Sequence, residues 1–209
     1  MKRFKLSNEL LFGFHVIRKP NDGYYGIKRE GKTSNLSATI YLLTFFLMYI
    51  VFIYTTSFLF NDRVVAEINV LQQVITVCVP FFLWGIANYF VCSIRDGECK
   101  LSDVYQASAY ALLPMIIALP ILAFISHGLT LNEAFIFDFL FNVSIGITVI
   151  YLIVMVKEIH FYEMRKTLGN IFITIFTALM ILLMVSIVYI LLTEILQVFL
   201  DIYREVTSR

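Results

Sequence analysis

Charged and uncharged stretches alternate along this chain on the length scale of whole helices. No Asp, Glu, Lys or Arg occurs within 33–61, 68–94, 104–132, 139–156 or 167–193. Apolar runs fill these windows: Leu36 to Phe60, Val74 to Cys92, Ala107 to Ile125, Phe139 to Val156 and Ile171 to Leu192. A hydrocarbon layer of about 30 Å takes about 20 residues at about 1.5 Å rise, so each run approaches or reaches the length of a crossing. Lipid leaves a free backbone amide unanswered, which forces helices here. Barrel strands would alternate apolar and polar over about 10 residues, whereas these runs are apolar all round. The pattern predicts an all-α integral membrane protein, a bundle of five transmembrane helices. The fourth run is the shortest and is flanked by Asp138, so a re-entrant segment is its alternative.

Ahead of the first span, Leu6, Leu10, Phe14 and Ile17 recur at i, i+4, i+8 and i+11, with Arg18 and Lys19 before Pro20. This is one face of an amphipathic helix. It lies either on the inner leaflet with its basic residues among headgroups, or against the protein's own loops. After it, Asn21-Asp22-Gly23 reads as a turn and Tyr24-Tyr25 as an aromatic pair at headgroup level. The expected organisation is an N-terminal cytoplasmic or interfacial segment (1–35), a membrane domain (36–200) and an external tail (201–209). The first segment is too short for an independent globular fold.

Composition sharpens this picture: 60% of the 209 residues are hydrophobic and 15% charged, outside the range of soluble domains. The net charge of +1 is uninformative, but its distribution is not. Thirteen basic residues fall on one side of the five spans: eight before residue 35, Arg95 and Lys100, and Lys157, Arg165 and Lys166. Three fall on the other, Arg63, Arg204 and Arg209. Basic excess marks the cytoplasmic side, so the N-terminus is expected inside and the C-terminus outside, in a cell membrane. The first apolar run is too long for the core of a cleavable signal peptide. Cys78, Cys92 and Cys99 form no C-x-x-C pair, and the reading is three free thiols, with no disulfide and no zinc.

Gly26 to Thr33 satisfies the letter of the phosphate-binding loop G-x-x-x-x-G-K-[ST]. No strand precedes it and the helix after it enters the membrane, so a basic juxtamembrane segment is the better account. Neither H-E-x-x-H nor G-x-S-x-G occurs, and the spans hold no ionisable acid or base of the kind that marks relays and ion paths. No enzyme activity and no cofactor is expected. Asn88 and Asn142 are candidates for hydrogen bonds between helices. Pro80, Pro114 and Pro120 interrupt the second and third spans, as simple kinks or as the frame of a transport site. Pro114 is expected to bend the third helix against the carbonyl of Tyr110, with Asn88, Asn142 or water answering that carbonyl. Ala107, Ala111 and Ala118 offer a small-residue packing face. His160 and Glu163 are i, i+3 neighbours, but two ligands make a poor metal site; a docking surface or a solvated turn from Lys157 to Lys166 is the better reading.

The run Arg95-Asp96-Gly97-Glu98-Cys99-Lys100-Leu101-Ser102-Asp103-Val104-Tyr105, followed by Ala109-Tyr110-Ala111-Leu112-Leu113-Pro114, resembles the Ypt-interacting-protein (Yip) domain family. In that family a glycine-containing cytoplasmic loop leads into a span opening with a Tyr-x-Leu-x-Pro-like motif. Five spans, an inner N-terminal segment and an outer C-terminus extend the likeness. The Lys157 to Tyr162 stretch is similar to the small bacterial branch, while the Asp-Leu-Tyr-Gly-Pro motif of eukaryotic members is absent. The resemblance implies a membrane adaptor or accessory protein. Eukaryotic relatives bind Rab-type GTPases, and bacterial ones are often encoded near sugar ABC transporters. Expected partners are therefore other integral membrane proteins, a sugar ABC transporter among them, the lipid bilayer and further copies of the chain; nucleic acid is not one. Asn88, Tyr110, Pro114, Pro120, Glu158, His160 and Tyr162 are the expected structural or partner-binding residues. The alternative is a small transporter or channel subunit with its site at the proline-broken second and third spans.

Overall fold

The computed structural model describes residues 6–60, 68–95, 97 and 100–207. Lys2, Arg3, Lys5, Arg63, Cys99 and Arg209, which entered the counts above, lie outside them, as do Asp96 and Glu98. Among the described residues the chain is helical and has no strand. The helices are α1 (Leu6–Arg18), α2 (Pro20–Glu30), α3 (Asn35–Thr55), α4 (Val70–Ile94), α5 (Leu101–Ala111), α6 (Leu113–Ser126), α7 (Ala134–His160) and α8 (Met164–Thr207). Among the described residues, five segments are long and apolar enough to cross a membrane: α3, α4, α5 with α6, α7 with the short turn before it, and α8. The expected five-span fold is therefore present. The fourth span is a single helix of 27 residues, about 40 Å, long enough for a full crossing.

Local chemistry sets the helix limits. Ser34 caps α3 in a reciprocal box with Ser37, and the Asn69 side chain accepts from the amides of Leu71 and Gln72 at the start of α4. Gly31, at φ 59°, closes α2 in the left-handed conformation that glycine tolerates. Phe161 closes α7 in the same region at φ 55°, where a bulky side chain is strained unless its neighbours hold it.

The N-terminal segment departs from expectation. Asn21-Asp22-Gly23 is no turn: Pro20 occupies the first turn of α2, where its missing amide is not needed, and the helix runs on through Gly23. Tyr24 is not in a headgroup belt but fully buried, while Tyr25 is partly exposed. The packing supplies the reason. A Cβ on Gly23 would come within 2.8 Å of the Val16 backbone, so α1 and α2 close together only because that position is glycine. In α1 the buried face is Glu9, Gly13 and Val16, whereas Leu6 and Phe14 of the predicted apolar face point outward and Leu10 and Ile17 are half-buried. One face docks on the bundle and the other is exposed.

The main core gathers Val16, Tyr24, Ile27, Val104, Ala107, Tyr110, Ala111, Leu113, Met155, Val156 and Ile159. It lies where α1 and α2 meet α5 and the end of α7, toward the end of the bundle that carries the N-terminal helices. The third span breaks at Leu112, whose amide turns back to the Ala109 carbonyl at 3.3 Å, and Pro114 sits in the first turn of α6. Pro120 and Pro80 lie inside α6 and α4 without ending either helix. Of the predicted small-residue stripe, Ala107 and Ala111 are fully buried and Ala118 half-buried.

Candidate functional site

The residues from Lys157 to Tyr162 are the last turn of α7 and the start of its link to α8, and their aromatics reach α4 and α2. His160, in the last turn of α7, is buried. Its Nε2 lies 2.6 Å from Asn88 Oδ1 and its Nδ1 2.9 Å from Cys92 Sγ. Asn88 and Cys92 are i, i+4 neighbours on α4, so one ring spans one helical turn of the facing span. Phe161 takes the Arg29 guanidinium over its face at 4.4 Å and the edge of Tyr25 at 6.4 Å. Tyr162 packs against the His160 ring, centroids 5.6 Å apart, with its hydroxyl 3.4 Å from the Arg95 carbonyl. Glu158 pairs with its neighbour Lys157 at 2.9 Å and does not enter this cluster.

One expectation about this region changes. Cys92 is disulfide-bonded rather than a free thiol. Hydropathy places it in lipid, but it occupies the last turn of α4, over which the following chain folds back: Gly97 N–H donates to the Cys92 carbonyl at 3.2 Å. A Cβ on Gly97 would collide with the Cys92 sulfur and the Tyr162 hydroxyl. Cys78 is free. Asn88 Oδ1 accepts and does not donate, so the 2.6 Å contact puts the ring hydrogen on His160 Nε2, while Nδ1 packs against the Cys92 sulfur. With both nitrogens of His160 engaged, a pairing with Glu163 on a metal does not form. No group of three or more His, Cys, Asp or Glu is placed to hold a metal among the described residues.

A second set of polar contacts ties the N-terminal helices to α5. The Tyr110 hydroxyl donates to the Glu9 carbonyl at 2.9 Å and lies 3.2 Å from Ser37 Oγ, while its ring meets Tyr41 edge-on at 4.7 Å. Ser34 donates to the Glu9 carboxylate. Thr33 donates to Gln106 Oε1 at 2.6 Å, and Gln106 passes its own amide hydrogen to Asn35 at 2.7 Å. Lys28 and Asp103, both largely buried, pair at 3.0 Å. Thr39 and Tyr105 join hydroxyls at 2.8 Å. The segment that matched a phosphate-binding loop is thus the end of α2 and its link to α3: Lys32 pairs with Glu30 and lies over Phe12, and Thr33 is turned into the bundle. Tyr24 stands beside this network with an unpartnered hydroxyl. Burial pushes its phenol well above the ordinary tyrosine range, and nearby Tyr151 adds in the same direction.

The proline-broken region is different in kind. Asn142 does not reach another span; its amide donates to the Asp138 carbonyl one turn back on its own helix. Asn88 is committed to His160, so neither asparagine answers the Tyr110 carbonyl. Between α4 and the break at Leu112 lies a groove of about 450 Å³ lined by Phe45, Tyr49, Val77, Pro80, Phe81 and Trp84 among others. A neighbouring groove of about 490 Å³ runs past Phe81, Phe82, Gly85, Ile86 and Tyr105. Both have mostly apolar walls, yet Ser108 lines both and Trp84 the first, and the Ser108 hydroxyl and Trp84 indole N–H are buried without a partner.

Asn88, Tyr110, His160 and Tyr162 are therefore gathered toward one end of the bundle, while Pro114 and Pro120 lie deeper and Glu158 at the periphery. Glu9, Lys28, Thr33, Ser37, Asp103 and Gln106 escaped the sequence reading. A glutamate on an otherwise apolar helix, a Ser34-x-x-Ser37 box and a glutamine inside an uncharged window were the available signals. Five membrane-length helices, with a polar layer cementing an N-terminal helix pair to one end, define a multi-pass all-α membrane protein. The Yip1 domain model matches residues 14–192, and the chain belongs to that family. The two stretches that carried the resemblance, from Arg95 and from Lys157, contribute Asp103, Tyr105, Tyr110, His160 and Tyr162 to these contacts. No curated protein and no solved structure matches the chain.

Proposed function

We propose that this protein is a non-enzymatic adaptor of the cell membrane. In this reading its spans bind other integral membrane proteins, and the end bearing α1, α2 and the α7–α8 turn faces cytoplasmic partners. A sugar transport complex is the partner the family resemblance favours. The observation that carries the reading is the apolar lining at the proline break. A carrier needs polar groups or water converging there, since a solute leaves its hydration shell only for replacement contacts. Here Asn88 is tied to His160, Asn142 to its own helix, and the grooves beside Pro80 and Leu112 are walled mostly by aromatic and aliphatic side chains, with the Ser108 hydroxyl and the Trp84 indole N–H as their buried, unpartnered polar atoms. The basic asymmetry supports the orientation.

Copurification from native membranes in mild detergent, read by mass spectrometry, tests the adaptor role beside solute flux in liposomes of the purified chain. A stoichiometric membrane-protein partner whose retention falls in Pro114→Ala, with no flux in either form, is the expected outcome. Flux in the purified chain, lost on filling the groove with Gly85→Trp, would replace the adaptor with a carrier.

A further inference from the structure

Several hydroxyls along these helices share one habit. Thr44, Thr76, Ser93, Ser144 and Thr148 each donate to the backbone carbonyl four residues back, which satisfies the group without help from outside the helix. Ser108 departs from it: this residue lies inside α5, is 1% exposed, and its Oγ has no partner. The indole N–H of Trp84, on the neighbouring α4, is buried without a partner as well. Both groups line the groove of about 450 Å³ beside Pro80 and Leu112, and Ser108 with Phe81 also lines the adjoining one of about 490 Å³. Each volume falls within the range of about 300–1,000 Å³ typical of ligand sites. The other polar side chains of these walls are committed elsewhere: Tyr49 to Gln73, Thr76 to the Gln72 carbonyl, Tyr105 to Thr39, Ser102 to Asp103 and the Asn35 oxygen to Gln106. Two hydrogens, one O–H and one N–H, are left without an acceptor in a cleft of aromatic and aliphatic walls.

The chemistry of the cleft selects its occupant. A transmembrane helix of another protein brings no free acceptor from its backbone, since its carbonyls are spent in its own ladder. Water makes about three hydrogen bonds when buried, and here only the Ser108 hydroxyl and the Trp84 N–H are uncommitted. An acyl ester suits both parts of the wall: its carbonyl accepts and has no hydrogen to place, and the hydrocarbon chain attached to it matches the apolar remainder. Depth agrees. Ser108 follows Asp103, the last charged residue before the uncharged window, by five residues, about 7.5 Å along the helix. The headgroup layer on each side of the hydrocarbon is about 5–7.5 Å thick, being half the difference between about 40–45 Å and about 30 Å. Ser108 therefore lies at the edge of the hydrocarbon, the level of glycerol esters. Phe82 and Ile86 on the rim are exposed, so the cleft opens on the flank of the bundle, where a chain enters from the bilayer.

We propose that the cleft between α4 and α5 is a binding site for an ester-linked glycerolipid of the membrane, its acyl chains against Phe81 and Phe82 and its ester carbonyls accepting from the Ser108 hydroxyl and the Trp84 indole N–H. The site stands apart from the adaptor role: the chain holds a lipid here with or without a partner protein, and neither copurification nor flux enters the test. Trp84 is the single tryptophan of the chain, so its fluorescence reports this cleft alone. The full chain in excess nonionic detergent is titrated with a diacyl phosphatidylcholine brominated along its chains, a contact quencher. A parallel titration uses the diether lipid of the same headgroup and brominated chains, which lacks only the carbonyls. Saturable quenching is expected, with a half-point roughly tenfold lower for the ester, as two modest hydrogen bonds allow, and that ratio should fall to about threefold in Ser108→Ala. Gly85→Leu, whose added side chain enters open space on the cleft wall, should remove the saturation for both lipids. The comparison of ester with ether in unaltered protein needs no variant, so it decides the matter even where a substitution disturbs folding. Quenching that rises without saturating, which marks lipid merely passing the surface, equal half-points for ester and ether, or a ratio unchanged in folded Ser108→Ala overturns the proposal.

Discussion

His160 shows how much of this molecule rests on single side chains with two obligations. Replacing Asn88 by Leu strands the His160 Nε2 in a buried site, and an unanswered buried polar group costs about 1–3 kcal/mol. Detergent-denaturation midpoints should drop accordingly for Asn88→Leu. In the double variant with His160→Phe the loss should be smaller than the sum of the single losses, since removing both partners leaves nothing unpaired. Strict additivity would mean the contact carries no energy. Tyr24→Phe should move the other way. The Tyr24 hydroxyl is buried without a partner, so removing it should raise stability by about 1 kcal/mol in the same assay. A loss instead would show that the hydroxyl is answered in the membrane.

At the scale of elements, the contrast between Gly23 and Gly85 separates close approach from open space. Gly23→Ala presses a methyl group into the Val16 backbone and should weaken docking of α1 on α2 by about 1–3 kcal/mol. Gly85→Ala meets nothing within 4 Å and should gain about 0.5–1 kcal/mol from helix propensity. Proteolysis between α1 and α2 in folded protein would register the first change and not the second. The same elements mark the limit of sequence reading. The spans were legible because lipid excludes charge over a length the chain displays directly. The path of residues 20–30 was not: Pro20 and Asn-Asp-Gly carry turn propensity, which the burial of Tyr24 and Ile27 overrides. The polar layer was half legible. Asn88, Tyr110, His160 and Tyr162 stood out as polar or motif residues, but Glu9 with Ser34 and Thr33 with Gln106 are pairs that only tertiary folding creates. The reach of α8 past residue 192 was obscured because Glu194 and Asp201 look like the end of a span rather than one stripe of a continuing helix.

For the whole molecule, five crossings predict termini on opposite sides, and the basic asymmetry predicts the N-terminus inside. A reporter fused after Arg209 that works only outside the cytoplasm should be active; activity of the cytoplasmic type alone would contradict five spans in this orientation. The contacts of the N-terminal helices add a constraint of time. Helices α1 and α2 are made first, yet what holds them is made much later: Asp103, Gln106 and Tyr110 on the third span, then Tyr151, whose hydroxyl donates to the Ile17 carbonyl across 134 residues of sequence. At about 5–20 residues per second, the ribosome needs roughly ten seconds to cover that distance. During that interval the apolar faces of both helices have no bundle to rest on. Whatever occupies them meanwhile, lipid surface or chaperone, must be released as the fourth span arrives. We expect a nascent-chain force measurement to record this docking only after Tyr151 has left the ribosome; a pull detected before Asp103 emerges would mean that the helix pair settles without the spans beneath it.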